Sequence, residues 1–426
     1  MKSMTCEIVY SANKSANKEI CTMHNVFIVE PLRTPIGKYG GTLSSIRPDD
    51  LAAHVIASLV ERTNIPPEVI DDVMLGCSNQ AGEDNRNIAR MASLLAGLPH
   101  SVPGVTLNRL CASSLEAFIQ GARAIQTGDA ECIIAGGVES MSRAPFVLPK
   151  NTSGQAMFGN LTAYDTALGW RFPNERMKTL FPLEAMGETA ENLAEEYAIS
   201  RQEQDEFALE SHKRSVFARS NGIFAQEIVA VPLASKSGTT FVEHDEQPRT
   251  DASLDALSKL KPAFRQGGTV TAGNASSLND GAAAMLLASE SAVKKYDLKP
   301  IARFVAGAAA GVNPRTMGIG PVEAIPKALQ RGKLTFSDVG LVEINEAFSA
   351  QVLACVRGLA KRDMKLDTSR LNINGGAIAL GHPLGMSGAR LVGTLVRSMQ
   401  REKVQFGVAS LCVGVGQGVA AAFERI

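Results

Sequence analysis

Short apolar runs alternate, along the first part of this chain, with longer stretches whose apolar positions recur every three or four residues. Val26-Phe27-Ile28-Val29, Val73-Met74-Leu75-Gly76 and Cys132-Ile133-Ile134-Ala135 are too short for buried helices and read as buried strands, the last ended by Gly136-Gly137. Leu51, Val55, Leu59 and Val60 share one face of a helix predicted from about Asp49. Leu115, Phe118, Ile119, Ala122 and Ile125 do the same in a helix that opens near Ser114 and stops at Gly128. Strand alternating with helix predicts an α/β fold.

The second half carries a faint copy of the first. Asp72-Val73 precedes Asn79 as Asp338-Val339 precedes Asn345, and 29 positions separate Asn79 from Asn108 as they do Asn345 from Asn374. Gly121-Ala122-Arg123 recurs as Gly388-Ala389-Arg390. Three matches in order suggest duplication, which would set Cys111 and His382 at related strand-to-helix turns. Between the halves, residues 149–265 are richer in Pro, Gly, Thr and charge. They hold one helix with Ala190, Leu193, Ala194 and Tyr197 on a face and another opened by the capping box Ser200-x-x-Glu203 and ending near Gly222. This segment reads as an inserted subdomain.

Composition narrows the function classes. With 426 residues, 45% hydrophobic and 20% charged, the chain suffices for two or three domains of an ordinary globular protein. Formal net charge is zero and no basic run or aromatic array occurs, which argues against nucleic acid. Seven scattered cysteines without Cys-x-x-Cys spacing argue against a disulfide framework or a zinc site and for reduced thiols in a cytoplasmic setting. Residues 1–24 read as a loose polar extension, and no apolar run is long enough for a membrane span.

Three stretches carry candidate chemistry. Cys111, in Leu107-Asn108-Arg109-Leu110-Cys111-Ala112-Ser113-Ser114, falls where a strand gives way to a helix. Free N–H groups at a helix N-terminus favour thiolate, so its pKa is expected below the ordinary 8.5 or so. Position alone leaves an inert buried cysteine open. His382 lies among Gly375, Gly376, Gly381 and Gly385, too glycine-rich for a core helix, and the run alone leaves a surface-loop histidine open. Cys412 opens Cys-x-Gly-x-Gly-x-Gly, but only eight residues follow Gly418, too few for a dinucleotide-binding unit.

Taken together these stretches resemble the thiolase family, and the resemblance runs from about Asn25 to the C-terminus. It implies a five-layered αβαβα fold of two duplicated halves. The halves would be residues 25–292, with the insert at about 149–265 covering coenzyme A, and residues 293–426. It implies that Cys111 is the acylated nucleophile and His382 its base, and that Cys412 is the acid/base at the α-carbon. Gly414 and Cys111 N–H groups would hold the acyl oxygen, and Asn345, in Asn345-Glu346-Ala347-Phe348, would hold a water at the acetyl-CoA oxygen. For coenzyme A it implies Ser276, within Asn274-Ala275-Ser276-Ser277, with Arg249 and Phe264 near the nucleotide and Met186 and Met317 along the acyl and pantetheine pocket. Arg249 alone would read as a surface arginine, and residues 201–265 hold nine Lys/Arg against ten Asp/Glu. The implied enzyme needs no metal or other cofactor, takes coenzyme A as a substrate, and assembles as a dimer or tetramer.

The family commonly has three glycines after the second cysteine; here Val415 interrupts them, and it is expected to narrow the pocket. Gly76-Cys77-Ser78-Asn79-Gln80 and Gly169-Trp170-Arg171-Phe172 resemble thiolases acting on 3-oxoadipyl-CoA. Such a substrate ends in a carboxylate, for which Arg171 is the candidate partner. Acetoacetyl-CoA thiolases and broader 3-ketoacyl-CoA thiolases are the alternatives, and a non-catalytic lipid-binding relative is the alternative from a different class.

Overall fold

The computed structural model describes residues 23–151, 159–236 and 238–426, so all but the last two residues of the expected extension lie outside it. Nine strands carry the architecture: β1 (Val26–Arg33), β2 (Asp72–Gly76), β3 (Gly104–Leu107), β4 (Cys132–Ser140), β5 (Asn279–Ser289), β6 (Pro300–Gly311), β7 (Val339–Ile344), β8 (Phe406–Val413) and β9 (Gln417–Arg425). Eight helices matter: α1 (Pro48–Thr63), α2 (Ile88–Leu95), α3 (Ser113–Thr127), α4 (Met186–Glu196), α5 (Arg201–Ser220), α6 (Gly320–Gly332), α7 (Ser349–Ala360) and α8 (Leu384–Glu402).

The strands run in the order β7-β8-β9-β6-β1-β5-β4-β2-β3. In the first half β2 is parallel to β3 and β4, then β4, β5 and β1 pair antiparallel. In the second, β7 is parallel to β8 and bridges Leu371 in parallel through Val342, then β8, β9 and β6 pair antiparallel. The pairing scheme therefore repeats, and β1 joins β6 antiparallel where the halves meet. The Gly-Ala-Arg recurrence is not part of this correspondence: Gly121 lies past the middle of α3, Gly388 in the second turn of α8.

Alternate side chains of each strand face opposite layers, as the period of two demands. Ile133, Ala135, Leu287, Leu411, Ala421 and Phe423 turn inward and pack with α3 and α8 in one core. Their neighbours Cys132, Ile134 and Leu286 pack outward on α1 and α2. Val408, Ala420 and Ala422 pack outward on α6 and α7. The result is five layers, αβαβα, with α3 and α8 in the middle.

Those two helices approach at backbone distance. A Cβ on Gly388 would lie 2.4 Å from the Leu115 nitrogen, and one on Gly137 would lie 2.1 Å from the Gly385 carbonyl oxygen. No larger residue fits either place. The helix α3 ends at Gly128, whose left-handed φ of 83° caps it, as the sequence predicts.

The insert carries α4 and α5, with the capping box of Ser200 and Glu203 formed. It is tied to the core through Arg33 at the end of β1. The Arg33 guanidinium meets Glu227 at 2.6 Å and Asp245 at 2.6 Å, all three nearly fully buried. Thr394 of α8 also donates to Glu227. Replacing Arg33 with Met would strand two buried carboxylates, and we expect a loss of about 3–5 kcal/mol in denaturant unfolding. A loss below about 1 kcal/mol, the range of an exposed pair, would contradict this role.

Candidate active site

Local hydrogen bonding bends the chain ahead of α3 and lifts out Cys111. Leu110 adopts a left-handed φ of 46°, costly for a side chain with a Cβ. Asn108 pins it, accepting from the Leu110 N–H at 2.9 Å and donating to the Ser78 carbonyl at 2.9 Å. Ser113 accepts from the Arg109 N–H and donates to the Leu110 carbonyl at 2.6 Å. Cys111 follows in the 3₁₀ turn Leu110–Ala112 and is half-buried. The backbone N–H groups of Cys111 and Gly414 lie near enough to its sulfur to favour the thiolate.

The expected low thiol pKa is not found. Burial pushes the Cys111 thiol up to about 11, with the Glu139 carboxylate adding to the rise, and the two N–H donors only partly offset it. The helix end is present, but desolvation outweighs it. Cys111 rests as a thiol and needs a base.

His382, from the other half, is the candidate base. Gly381 turns the chain at φ 107°, where a Cβ would lie 2.4 Å from the Asn279 side chain. Asn279 accepts from the His382 N–H at 2.9 Å. The imidazole Nδ1 lies 2.6 Å from Ser387 Oγ, and Ser387 donates its proton to the Pro383 carbonyl at 2.8 Å. Ser387 therefore accepts from Nδ1–H, which leaves Nε2 with its lone pair. Asn345 Nδ2 lies 3.2 Å from Nε2. Burial, then the nearby Arg390 charge, pushes the His382 pKa down to about 3, so the ring is neutral.

Cys412 stands near the end of β8 opposite Gly418, with no exposed surface. Its thiol is raised by burial first and then by Cys111 and Cys355, its neighbouring sulfurs. The glycines after it have packing reasons: a Cβ on Gly418 would lie 2.2 Å from Gly320 backbone. Asn345 is fixed by its N–H to the Ser410 carbonyl at 2.9 Å, and its buried Oδ1 has no hydrogen-bond partner among the described residues.

Met186 and Met317 join Cys412 and Phe348 in one apolar cluster. Phe264 packs edge-on against Phe348 at 6.1 Å and covers Gly187. The Ser276 N–H donates to the Ala347 carbonyl at 2.9 Å, beside the Asn345 segment. Arg249 is exposed, and its N–H donates to His212 on α5. A cleft lined by Trp170, Phe181, Met186, Thr189, Pro314 and Val415 opens next to Gly414. Arg171 does not line it and donates instead to the Thr166 carbonyl at 3.3 Å. The charged group at the cleft is Glu184, paired with Arg315 at 3.0 Å. Among the described residues no cluster of His, Cys, Asp or Glu could hold a metal ion, and no helix is long and apolar enough to cross a membrane.

Three supporting residues were not foreseen: Ser387, Asn279 and Glu139. The Glu139 carboxylate accepts from the Ser78 and Asn79 N–H groups of one half and from Gly385 N–H of the other. Only Ser387 had a local signal, standing one helical turn beyond Pro383.

A buried thiol, a neutral imidazole and a second thiol beside paired N–H donors define a thiol-dependent acyltransferase built on a duplicated αβαβα fold. The family models agree, that for "Thiolase, N-terminal domain" matching residues 26–291 and that for "Thiolase, C-terminal domain" residues 298–425. This chain belongs to the thiolase family. It is 54% identical to a beta-ketoadipyl-CoA thiolase of Pseudomonas aeruginosa over 94% of this chain and 99% of that one. It is 52% identical to the 3-oxoadipyl-CoA/3-oxo-5,6-dehydrosuberyl-CoA thiolase of Escherichia coli, over 95% of this chain and 100% of that one. Among solved structures, human mitochondrial 3-ketoacyl-CoA thiolase in complex with CoA superposes with a TM-score of 0.86 at 39% identity, covering 95% of this chain and 98% of that one.

With the thiol at about 11 and the imidazole at about 3, both are neutral near physiological pH. Alkylation of Cys111 by iodoacetamide, which consumes thiolate, should rise about tenfold per pH unit between about pH 6 and 9. Peptide mapping follows it; a plateau beginning below about pH 8 would mean a preformed thiolate.

Proposed function

We propose that this enzyme performs the CoA-dependent cleavage of 3-oxoadipyl-CoA to succinyl-CoA and acetyl-CoA, through an acyl group held on Cys111. The observation that carries it is that the Cys111 and Cys412 thiols lie close enough for the charge of one to act on the other, with the N–H groups of Cys111 and Gly414 beside the Cys111 sulfur. N–H groups beside that sulfur serve the oxygen of a thioester formed on it, each worth roughly 3–4 kcal/mol at a developing oxyanion. The substrate assignment is supported by relatives of that name at 52% and 54% identity over nearly the whole chain.

In the first half-reaction the Cys111 proton passes to His382 Nε2 and the sulfur attacks the 3-keto carbon. The bond between C2 and C3 then breaks, leaving the acyl group on Cys111 and the enolate of acetyl-CoA. Cys412 gives its proton to the enolate carbon and becomes thiolate. The protonated Nε2, beside the Asn345 amide, donates to the enolate oxygen. In the second half-reaction the Cys412 thiolate takes the proton of an incoming CoA thiol, whose sulfur attacks the acyl carbon. Cys111 leaves and recovers its proton from His382. Every group returns to its starting state, and the condensation direction runs through the same steps. Coenzyme A is thus a substrate, with Ser276, Phe264, Met186 and Met317 along its path and Arg249 toward its nucleotide. Arg171 is the candidate partner of the terminal carboxylate, with one guanidinium nitrogen bonded to the Thr166 carbonyl and the others left to grip a ligand.

The two cysteines should separate cleanly. With radiolabelled acetyl-CoA, Cys111→Ser should take up no stable label. Cys412→Ser should still acetylate Cys111 yet lose condensation by at least about 10³-fold, as expected for removing a general acid/base. Condensation by Cys412→Ser at near wild-type rate would remove Cys412 from the mechanism. Cleavage of 3-oxoadipyl-CoA no faster than that of acetoacetyl-CoA would favour the short-chain acetyltransferase reading over the proposed substrate.

A further inference from the structure

The turn Gly414-Val415-Gly416 joins β8 to β9, with Val413 and Gln417 paired across it. Val415 stands at φ 61° and Gly416 at φ 82°. Glycine occupies that region freely, whereas a β-branched residue there is a genuine outlier. Gly416 is explained by close approach, since a Cβ on it would lie 2.3 Å from the Val312 carbonyl oxygen. Packing does not explain Val415 in the same way. Its side chain belongs to none of the buried clusters of the described residues and is 39% exposed. Strain kept at an exposed apolar side chain points to a function.

The surroundings indicate which. Val415 shares the cleft with Trp170, Phe181, Met186 and Pro314. The residue before it, Gly414, lies against the Cys111 turn: a Cβ on it would stand 3.1 Å from Leu110 Cδ1 and 3.7 Å from Met186 Sδ, and its N–H is near enough to the Cys111 sulfur to favour the thiolate. The cleft therefore adjoins the atom that takes the acyl group. Resting on the thiolase reading above, we infer that Val415 is a specificity-determining residue whose isopropyl group packs on the acyl methylenes beyond the keto carbon. It gives the site a preference for chains longer than acetoacetyl. A branched side chain has one dominant rotamer and presents a fixed wall, which suits selection by length.

The test compares kcat/KM for 3-oxohexanoyl-CoA with that for acetoacetyl-CoA in wild type, Val415→Gly and Val415→Ala. An uncharged six-carbon chain isolates methylene contact from recognition of a terminal carboxylate. Val415→Gly should lower the ratio of longer to shorter substrate by about tenfold, the range of one or two apolar contacts, with Val415→Ala between. The melting temperature of Val415→Gly should be at or above that of wild type, because the turn is relieved of strain. A ratio within about twofold of wild type in Val415→Gly overturns the inference, whatever the melting temperature. A wild-type protein that cleaves neither thioester overturns the functional reading, and this inference with it.

Discussion

The contact on which everything else depends is the backbone-level packing of α3 against α8. Gly388 lets the second turn of α8 lie on the Leu115 nitrogen, and Gly137 admits the Gly385 carbonyl. Each helix begins just after a candidate catalytic residue, Cys111 before α3 and His382 before α8, so this packing sets the two helix starts against each other. Glu139 locks the arrangement, since one carboxylate accepts N–H donors from the 78–79 loop and from Gly385. A Cβ at Gly388 would push the two helices apart, and one at Gly137 would push both of them off β4.

Burial around the site sets its electrostatics. Both active thiols are raised and His382 is lowered, so the resting site carries little charge despite its reactive groups. This suits a reaction whose intermediates are themselves anionic. Charge appears only as bonds change, next to donors that need not reorganise. Ser387 contributes by fixing the imidazole proton on Nδ1, so that Nε2 is free to accept. The Gly414 N–H favours the Cys111 thiolate while the Cys111 charge raises the Cys412 thiol, so the second thiol's strand and the first thiol act on each other.

Much of this was legible in the sequence because the signals are local. Short apolar runs such as Cys132–Ala135 could only be buried strands, and Ser200 with Glu203 announced the start of α5. Cys111, His382 and Cys412 stand in distinctive runs of neighbours that their chemistry requires. What sequence could not supply depends on burial and on distant partners. The thiol pKa was expected low because a helix end is visible in sequence, whereas the desolvation that outweighs it is not. Glu139 and Asn279 look like ordinary strand residues until the halves fold together. Arg171 reads as a carboxylate partner by type, and the bond that holds one of its nitrogens to the Thr166 carbonyl is invisible in sequence. The repeat was visible in spacing, yet the Gly-Ala-Arg recurrence falls at different depths of the two helices.

The central claim is that two sulfurs from opposite halves face one reacting carbon. The most direct measurement treats the protein with 1,3-dibromoacetone, whose two electrophilic carbons flank a single carbonyl, and maps the adducts by mass spectrometry. The account predicts a bridged product joining the Cys111 and Cys412 peptides, formed in preference to adducts at Cys77, Cys132 or Cys355. Separate single adducts on Cys111 and Cys412, with no bridge between them, would contradict it.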